Sequence, residues 1–263
     1  MALYHCTLTL HDNVFFATRE MGILYETEKY LHNWGLSFAL FAIHYIPQPY
    51  RLQGELAQKP TYLDARAEQN LLHLNQAGIY VFPAQPINWS YQINTFKAAQ
   101  VAYYGKSKQF GDKGADKNYP INYGRAKELA VGSLYRTYII APENLKIPRW
   151  IRLGKWAAKI RVEAVKIPDR IMQTKSGDYI CLHPLNPLDL PRDTQLLLYN
   201  RIVMPPVSLV SQAQLHGEHL VTKKDEWQDF KLTLTPEQYQ QLPAEISLPK
   251  VAFYGAGNVV ATA

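Results

Sequence analysis

The stretch Leu3-Tyr4-His5-Cys6-Thr7-Leu8-Thr9-Leu10 decides the fold class, because its larger apolar residues recur at every second position. Tyr4, Cys6, Leu8 and Leu10 alternate with a histidine and two threonines. A period of two is the pattern of a half-buried β-strand. The stretch therefore predicts the first strand of a sheet.

A helix is predicted after this strand, over residues 26–43, because the segment is long and rich in large apolar residues. Pro47 and Pro49 follow it and cannot continue a helix. A second, short helix is predicted over 236–242, with Thr235 as its N-cap.

Strands are predicted for most of the remaining chain. The predicted ranges are 78–82, 89–96, 134–140, 159–167, 179–183, 196–204, 230–234 and 251–254, together with 214–222 around a turn at His216-Gly217-Glu218. With 263 residues, 47% of them hydrophobic, the chain fits a single elaborated α+β domain over residues 1–263.

The basic residues are concentrated in the middle of the chain. Between Lys97 and Lys175 there are 17 Lys/Arg and 6 Asp/Glu, a net charge of +11, whereas the whole chain carries only +6. A concentrated positive charge attracts polyanions, of which nucleic acid is the commonest. The distribution favours a nucleic-acid ligand; a solvated loop that is charged by chance is the alternative.

A basic insertion is predicted at about 97–130. Its centre, Lys106-Ser-Lys-Gln-Phe-Gly-Asp-Lys-Gly-Ala-Asp-Lys117, has no hydrophobic period and predicts a mobile surface loop. A polyanion would neutralise its four lysines and let the loop order on binding. Tyr119 and Tyr123 are candidates either to stack on bases or to pack the loop onto the sheet.

Two short clusters in this basic region combine cations with aromatic rings. Asn122-Tyr-Gly-Arg-Ala-Lys127 suits stacking on one base while holding its phosphates, or is a turn that leads into a short helix. Pro148-Arg-Trp-Ile-Arg-Leu-Gly-Lys-Trp-Ala-Ala-Lys-Ile-Arg161 places two indoles among five cations. An extended stretch would put Arg149 and Ile151 on one side and Arg152 on the other, whereas a helical turn would group Arg152 with residues 155, 156 and 159. In a purely structural interpretation the two tryptophans belong to the core.

The candidate RNA-binding residues come from the insertion and from these two clusters. They are Lys106, Lys108, Lys113, Lys117, Tyr119, Tyr123, Arg125, Lys127, Arg149, Trp150, Arg152, Lys155, Trp156, Lys159 and Arg161.

No catalytic or metal-binding constellation can be assembled from the sequence. Phosphate-loop, nucleophile-elbow, zinc-protease and EF-hand motifs are missing. His216 and His219 fit a hairpin turn better than a metal site, and Cys6 and Cys181 alone cannot build a disulfide framework or a zinc site. We therefore expect no cofactor, no metal and no catalytic residue. No apolar run reaches the ~20 residues of a membrane span, so a soluble, cytoplasmic protein is expected.

Three strings resemble the Cas-five-type (Csc family) subunit of the type I-D CRISPR effector complex, a member of the RAMP superfamily. The first runs from Leu3 to Gly22 and continues as Leu24-Tyr-Glu-Thr-Glu28; the others are Asn122-Tyr-Gly-Arg-Ala-Lys-Glu-Leu-Ala130 and Pro148-Arg-Trp-Ile-Arg-Leu-Gly-Lys-Trp156. The resemblance spans at least the first two thirds of the chain.

The resemblance implies a ferredoxin-like β-α-β-β-α-β core of the RNA-recognition type with a long inserted thumb. It also implies a subunit that binds the five-prime handle of the crRNA and contacts the large and backbone subunits near the target DNA's PAM. The superfamily's glycine-rich loop would have to be Gly255-Ala-Gly257.

Two other functions remain open at this point. A RAMP-type, metal-independent endoribonuclease would need only a His or Tyr base near the 2′-hydroxyl and a cation on the developing charge. A scaffold protein with an acidic partner is the third possibility, against which the interleaved aromatic residues argue.

Overall fold

The computed structural model describes residues 1–21, 24–41, 62–63, 70–99, 121–230, 235–240 and 242–256. The strands in chain order are β1 (Ala2–Leu10), β2 (Arg19–Met21), β3 (Leu24–Glu26), β4 (Tyr80–Val81), β5 (Gln85–Asn88), β6 (Tyr91–Ala99), β7 (Ile121–Leu129), β8 (Leu134–Ala141), β9 (Trp150–Leu153), β10 (Ala158–Ile167), β11 (Gln173–Cys181), β12 (Gln195–Ile202), β13 (Leu209–Lys223) and β14 (Glu245–Pro249). The α-helices are α1 (Asn33–Leu40), α2 (Leu72–Gln76) and α3 (Pro236–Gln240). The predicted mixture of helix and strand is confirmed, and strands form the larger part.

The central sheet is antiparallel and has the order β4-β8-β1-β10-β9, with β5 also paired to β8. The predicted opening strand is confirmed as β1, but it is buried on both faces and not on one. Leu3 packs in a first core with residues of β11 and β13, whereas Cys6 and Leu8 pack in a second core with Leu36 and Leu40 of α1. Because one face meets a second sheet and the other meets a helix, even the polar His5 is enclosed.

Two further sheets flank the central one. The second has the order β11-β13-β12, and β14 pairs with the far end of β13. The third has the order β2-β3-β7-β6, in which β3 and β7 run parallel and β6 and β7 form a long antiparallel hairpin. The alternative interpretation of 122–127, a turn that leads into a short helix, is wrong, because these residues are part of β7.

The first helix is much shorter than the predicted 26–43. It covers only Asn33–Leu40, and the start of the predicted range belongs to strand β3. The Thr27 hydroxyl donates to the Phe16 carbonyl and accepts from the Phe16 amide, which fixes extended backbone there. His32 is the N-cap, since its Nδ1 accepts a hydrogen bond from the Trp34 amide at 3.2 Å.

Two other local predictions were wrong. The turn predicted at 216–218 is continuous strand within β13, where Gly217 pairs with Gly177 of β11 and both adopt positive φ. Residues 251–254 are irregular and not a strand, because the Phe253 amide donates to the Asp189 carbonyl and the Tyr254 amide donates to Asn75 Oδ1. The helix predicted over 236–242 is confirmed as α3, and residues 231–234 of another predicted strand lie outside the described residues.

A buried carboxylate, Asp189, joins the helix, the central sheet and the end of the described chain. Its oxygens accept hydrogen bonds from Asn33 Nδ2 at 2.7 Å, Trp34 Nε1 at 3.0 Å, the Tyr80 hydroxyl at 3.1 Å and the Gly255 amide at 2.9 Å. Burial raises the pKa of Asp189 to about 6, although each of these donors lowers it. The four donors therefore stabilise the ionised form of a carboxyl group whose burial favours the protonated form.

We predict that Asp189→Asn lowers the free energy of unfolding by about 1–3 kcal/mol. The amide NH2 would replace one carboxylate oxygen, and an NH2 group cannot accept the hydrogen bonds that this oxygen receives. The native pKa of about 6 lies above the ordinary 3.8, so the native state binds the proton more tightly than the unfolded chain. Asp189's contribution to stability is therefore fully present below about pH 4 and declines as the pH rises to 6.

Denaturant unfolding between pH 4 and 7 tests this prediction. The advantage of the wild type over Asp189→Asn should grow as the pH falls. The change Asp193→Asn, at an exposed residue of the same loop region, serves as the control and should show no such trend. A difference between the wild type and Asp189→Asn that does not depend on pH would contradict the assignment.

Candidate nucleic-acid interface

The hairpin β9–β10 carries most of the predicted cations of the second cluster on its outer face. Trp150 lies opposite Arg161, and Arg152 lies opposite Lys159, all four of them exposed. The residues between them, such as Ile151, point into the second core. The extended alternative is therefore correct and the helical turn is wrong, since the polar and apolar residues alternate along both strands.

The two tryptophans of this hairpin are surface residues. Trp150 is 46% exposed and Trp156 is 51% exposed, so the interpretation as core residues is wrong. Lys159 Nζ lies 4.3 Å from the Trp150 ring centroid. Trp156, in the turn, stacks one face on buried Phe15 with the ring centroids 4.6 Å apart. Each indole is thus held from one side, as a platform for a base requires.

The cations of the hairpin are only lightly neutralised. Arg152 Nη1 lies 3.8 Å from Asp12 Oδ2, and Arg161 pairs with Glu163 at 2.7 Å. Both pairs are exposed, and such pairs contribute about 0–1 kcal/mol. In the part of the chain that the structure describes, Arg149, Lys155 and Lys159 form no ion pair. An incoming phosphate would therefore have to break only weak, exposed ion pairs to reach these cations.

The linker segment, residues 11–16, connects this hairpin to the hairpin β6–β7. On one side His11 lies edge-on to Trp150 at 4.9 Å, and the Phe15 carbonyl accepts from the Lys155 amide at 2.9 Å. On the other side Val14 exchanges two backbone hydrogen bonds of 2.9 Å with Leu129 of β7. The two basic clusters, which are separate in the sequence, therefore flank one segment.

The first cluster lies on β7, and its two described cations differ. Arg125 is exposed. Lys127 is half-buried, pairs with Glu26 at 3.0 Å, and lies 4.4 Å from the Tyr91 ring centroid. Lys127 is thus already engaged, whereas Arg125 remains accessible. Tyr123 pairs with Lys97 in the backbone register of the hairpin.

The remaining five candidates, Lys106, Lys108, Lys113, Lys117 and Tyr119, belong to the range 100–120, which lies outside the described residues. Strand β6 ends at Ala99 and β7 begins at Ile121, and the two strands pair with each other on either side of this range.

One group of aromatic and basic residues was missed by the sequence analysis. Lys29 Nζ lies 5.4 Å from the ring centroid of Tyr30 and 5.6 Å from that of Trp89. Trp89 contacts Tyr91 with ring centroids 5.2 Å apart, and Tyr91 in turn lies under Lys127. Tyr30 is adjacent to Lys29, but no local pattern could have joined Lys29 to Trp89, which is distant in the sequence.

Comparison with known proteins identifies the family. The model of the family described as "Type I-D CRISPR-associated protein Cas5/Csc1" matches residues 1–255. The chain belongs to this family. No curated protein matches the sequence. Among solved structures, a CRISPR protein from Archaeoglobus fulgidus covers 85% of this chain and 96% of its own, at 11% identity and a TM-score of 0.32, which is too low to assign a shared fold.

Three histidines of this Cas5/Csc1 family member are exposed in the described part of the chain, His11, His73 and His216. His11 is exposed beside Trp150, within the basic surface. His216 is exposed on β13, and its Nδ1 lies 2.6 Å from Asp178 Oδ1. His216 is in a different sheet from the basic hairpins, so His11 is the one that adjoins the candidate interface.

The buried histidines and both cysteines are enclosed in the core. Burial, aided by Arg136, lowers the pKa of His5 to about 3 and the pKa of His183 well below its ordinary value. Burial raises the pKa of the Cys6 and Cys181 thiols. His5, His183 and both thiols are therefore neutral near pH 7, and all four lie in the core.

The described ranges contain no group of three or more His, Cys, Asp or Glu side chains that could hold a metal ion. Within the same ranges, no helix is long and apolar enough to cross a membrane.

We predict that Gly154→Ala destabilises the hairpin turn. Gly154 has a φ of +80°, and a Cβ there would lie 2.8 Å from the Phe15 carbonyl oxygen. Because the contact is with backbone, the turn or the linker segment must shift, at a total cost of about 1–3 kcal/mol. Gly132→Ala is the matched control, since Gly132 has a φ of +83° but no atom near its Cβ position. Thermal unfolding of both variants should show the larger loss for Gly154→Ala; equal losses would contradict the close contact.

Proposed function

We propose that this protein is the non-catalytic RNA-binding subunit of a type I-D CRISPR effector complex. In this proposal it binds the five-prime handle of the crRNA and helps to position the large, PAM-recognising subunit on target DNA. Membership of the type I-D Cas5/Csc1 family supports a place in the effector complex. The handle and the PAM-proximal role go beyond that membership and rest on the surface described above.

The observation that carries the proposal is the outer face of the hairpin β9–β10. It presents four exposed cations beside two half-exposed indoles. Arg152 lies on β9, Lys155 in the turn, and Lys159 and Arg161 at alternate positions of β10. Cations that follow a backbone together with rings that stack on bases are the two components of a single-strand binding surface. Arg149 precedes the hairpin and is also exposed.

The strand order of the central sheet supports a ferredoxin-like interpretation of the core. The strands β1, β4, β8 and β10 occur in this order along the chain, with other strands between them, and lie in the spatial order β10-β1-β8-β4. We interpret these as the four strands of a β-α-β-β-α-β core, with α1 between the first two. In the place of a second core helix, between β8 and β10, the chain has the strand β9.

The thumb is the second RNA-contacting element in this proposal. The hairpin β6–β7 leads to the range 100–120 with its lysines, and the linker segment ties this hairpin to the hairpin β9–β10. An RNA strand that lies on Trp156 and Arg152 could continue toward Arg125 without leaving the basic region. Lys106, Lys108, Lys113, Lys117 and Tyr119 remain predicted contacts.

We predict that the double change Arg152→Ala and Lys155→Ala weakens the binding of single-stranded handle RNA. Each lost phosphate contact on a single strand lowers the slope of log affinity against log salt by about 0.7, so the slope should fall by roughly one to two units. Fluorescence anisotropy at a series of salt concentrations measures both quantities.

The matched control is Lys175→Ala with Arg192→Ala, which removes the same charge from exposed positions outside the hairpin. This control should leave affinity and salt slope close to those of the wild type. If the two double variants behave alike, the hairpin is not the RNA site and only the net charge matters.

We further predict that the isolated protein does not cleave precursor crRNA. The endoribonuclease is the second candidate function, because exposed His11 adjoins Trp150 and Lys159 and could serve as a general base. Precursor RNA incubated with pure protein should stay intact, and His11→Ala should change nothing. Specific cleavage that is lost in His11→Ala would establish the enzyme and overturn the non-catalytic proposal.

A further inference from the structure

We propose that the protein carries a second stacking site for single-stranded nucleic acid, beside strand β6 of the third sheet and apart from the hairpin β9–β10. In this second stacking site Trp89 is the platform for a base and Lys29 contacts a phosphate, while Tyr30 and Tyr91 hold these two side chains in place. The inference rests on the proposed function, because it extends the path of a bound strand beyond the two basic clusters.

The backbone around Trp89 is fixed by neighbouring strands. Trp89 lies in the short connection between β5, which pairs in the central sheet, and β6, which pairs in the third sheet. The adjacent Ser90 donates its amide to the Ser133 hydroxyl at 3.3 Å, and its carbonyl accepts from the Ala130 amide at 2.9 Å. The indole is therefore carried by a connection that both sheets restrain.

Lys29 is carried by a segment whose two ends are bonded to other parts of the chain. At one end the Thr27 amide donates to a carbonyl of β7 at 3.1 Å. At the other end Leu31 exchanges two backbone hydrogen bonds with Ala84, of 3.1 and 2.9 Å. Only the side chain of Lys29 has to be ordered when a ligand binds, which lowers the conformational cost of binding.

The side chains of the second stacking site contact one another as rings and a cation. Lys29 Nζ lies 5.4 Å from the Tyr30 ring centroid and 5.6 Å from that of Trp89, within the range in which a cation is attracted to a ring. Trp89 meets Tyr91 at an interplanar angle of 65°, with ring centroids 5.2 Å apart. With these neighbours Trp89 is still 39% exposed, so its indole is oriented and accessible at the same time.

The acidic residues of this region are already paired. Glu28 pairs with Arg19 at 2.8 Å and Glu26 pairs with Lys127 at 3.0 Å, and both carboxylate side chains are no more than 17% exposed. Among the residues that the structure describes, Lys29 Nζ forms no ion pair. Its charge is therefore available to a phosphate.

The second stacking site continues onto the face of β7 that carries Arg125. Arg125, Lys127 and Leu129 lie on one face of β7, because they differ by two residues. Tyr91 is opposite Leu129 in the register, and Lys127 Nζ lies 4.4 Å from its ring centroid. A strand bound at Trp89 can therefore pass over Tyr91 toward the exposed Arg125.

A single-stranded nucleic acid fits this site better than an acidic protein does. A carboxylate of a protein partner would use the charge of Lys29 but not the exposed indole of Trp89. A nucleotide offers a phosphate to the cation and a base to the ring. The strand has to be single, because the bases of a duplex are already stacked on one another.

Photo-crosslinking of the full-length wild-type chain tests the site without any substitution. The probe is a short single-stranded oligonucleotide that contains 5-iodouracil, prepared once as RNA and once as DNA of the same sequence. Mass spectrometry then identifies the crosslinked peptides. We expect a crosslink in the peptide that contains Trp89, and the more strongly linked of the two probes shows whether RNA or DNA occupies the site.

Two substitutions separate the role of the ring from that of the cation. Trp89→Ala should weaken the binding of the oligonucleotide roughly five- to 100-fold with an unchanged salt slope, because a stacking partner but no phosphate contact is lost. Trp89→Phe keeps a ring and should stay within about threefold of the wild type. Lys29→Ala should lower the salt slope by about 0.7. Tyr199→Ala is the matched control, since Tyr199 is an aromatic residue of the second sheet that is 46% exposed, and it should bind like the wild type.

The outcomes distinguish this inference from the proposed function. Crosslinks confined to the peptide of Trp150 and Trp156, with wild-type affinity in Trp89→Ala, would overturn the second stacking site and leave the hairpin site in place. A crosslink at Trp89 without one in the hairpin β9–β10 would support the second stacking site and count against the hairpin. Wild-type affinity in Trp89→Ala and Lys29→Ala, together with loss of a protein subunit from the purified complex, would assign the surface to a protein partner and overturn the inference.

Discussion

The placement of the core helix depends on the buried carboxylate of Asp189. Through Asn33 and Trp34 it holds the start of α1, through Tyr80 it holds the edge of the central sheet, and through the Gly255 amide it holds the end of the described chain. A buried carboxylate without donors would be strongly unfavourable, so these four groups must approach from three different elements at once. The requirement restricts α1 to one position on the sheet, and the second core forms beneath it.

The linker segment imposes a similar restriction at the surface. Its backbone bonds to β7 on one side and to the turn after β9 on the other, and Phe15 provides the ring on which Trp156 stacks. Two clusters that are distant in the sequence are thereby brought to the two sides of one segment. In the sequence this segment is a short polar loop followed by three apolar residues. Its composition therefore does not show that it connects the two basic hairpins.

Local sequence patterns predicted the strands and the basic clusters. Turns and the pairing of distant residues depend on contacts between distant parts of the chain. Alternation of residue types in the sequence identified β1, and the burial of β10 alternates along most of its length, whereas β1 and β8 are buried on both faces. The stretch 149–161 satisfied both a strand and a helical pattern, and the positive φ at Gly154 that closes the hairpin settles the choice. Gly217 suggested a turn, but a second glycine opposite it, Gly177, lets β13 pass straight through. The contacts of Asp189 with Asn33 and Trp34, and of Lys29 with Trp89, carry no local signal, since the partners are far apart in the sequence.

The strand β10 shows why the cations of the candidate interface are already in position. Lys159, Arg161, Val165 and Ile167 lie on the same side of this one strand, because they differ by even numbers of residues. At one end that side faces solvent, and at the other it packs in the first core against the second sheet. The backbone that carries the cations is therefore fixed by core packing before any ligand arrives. A bound phosphate backbone has to order only the side chains, and this lowers the conformational cost of binding at a surface whose individual contacts are weak.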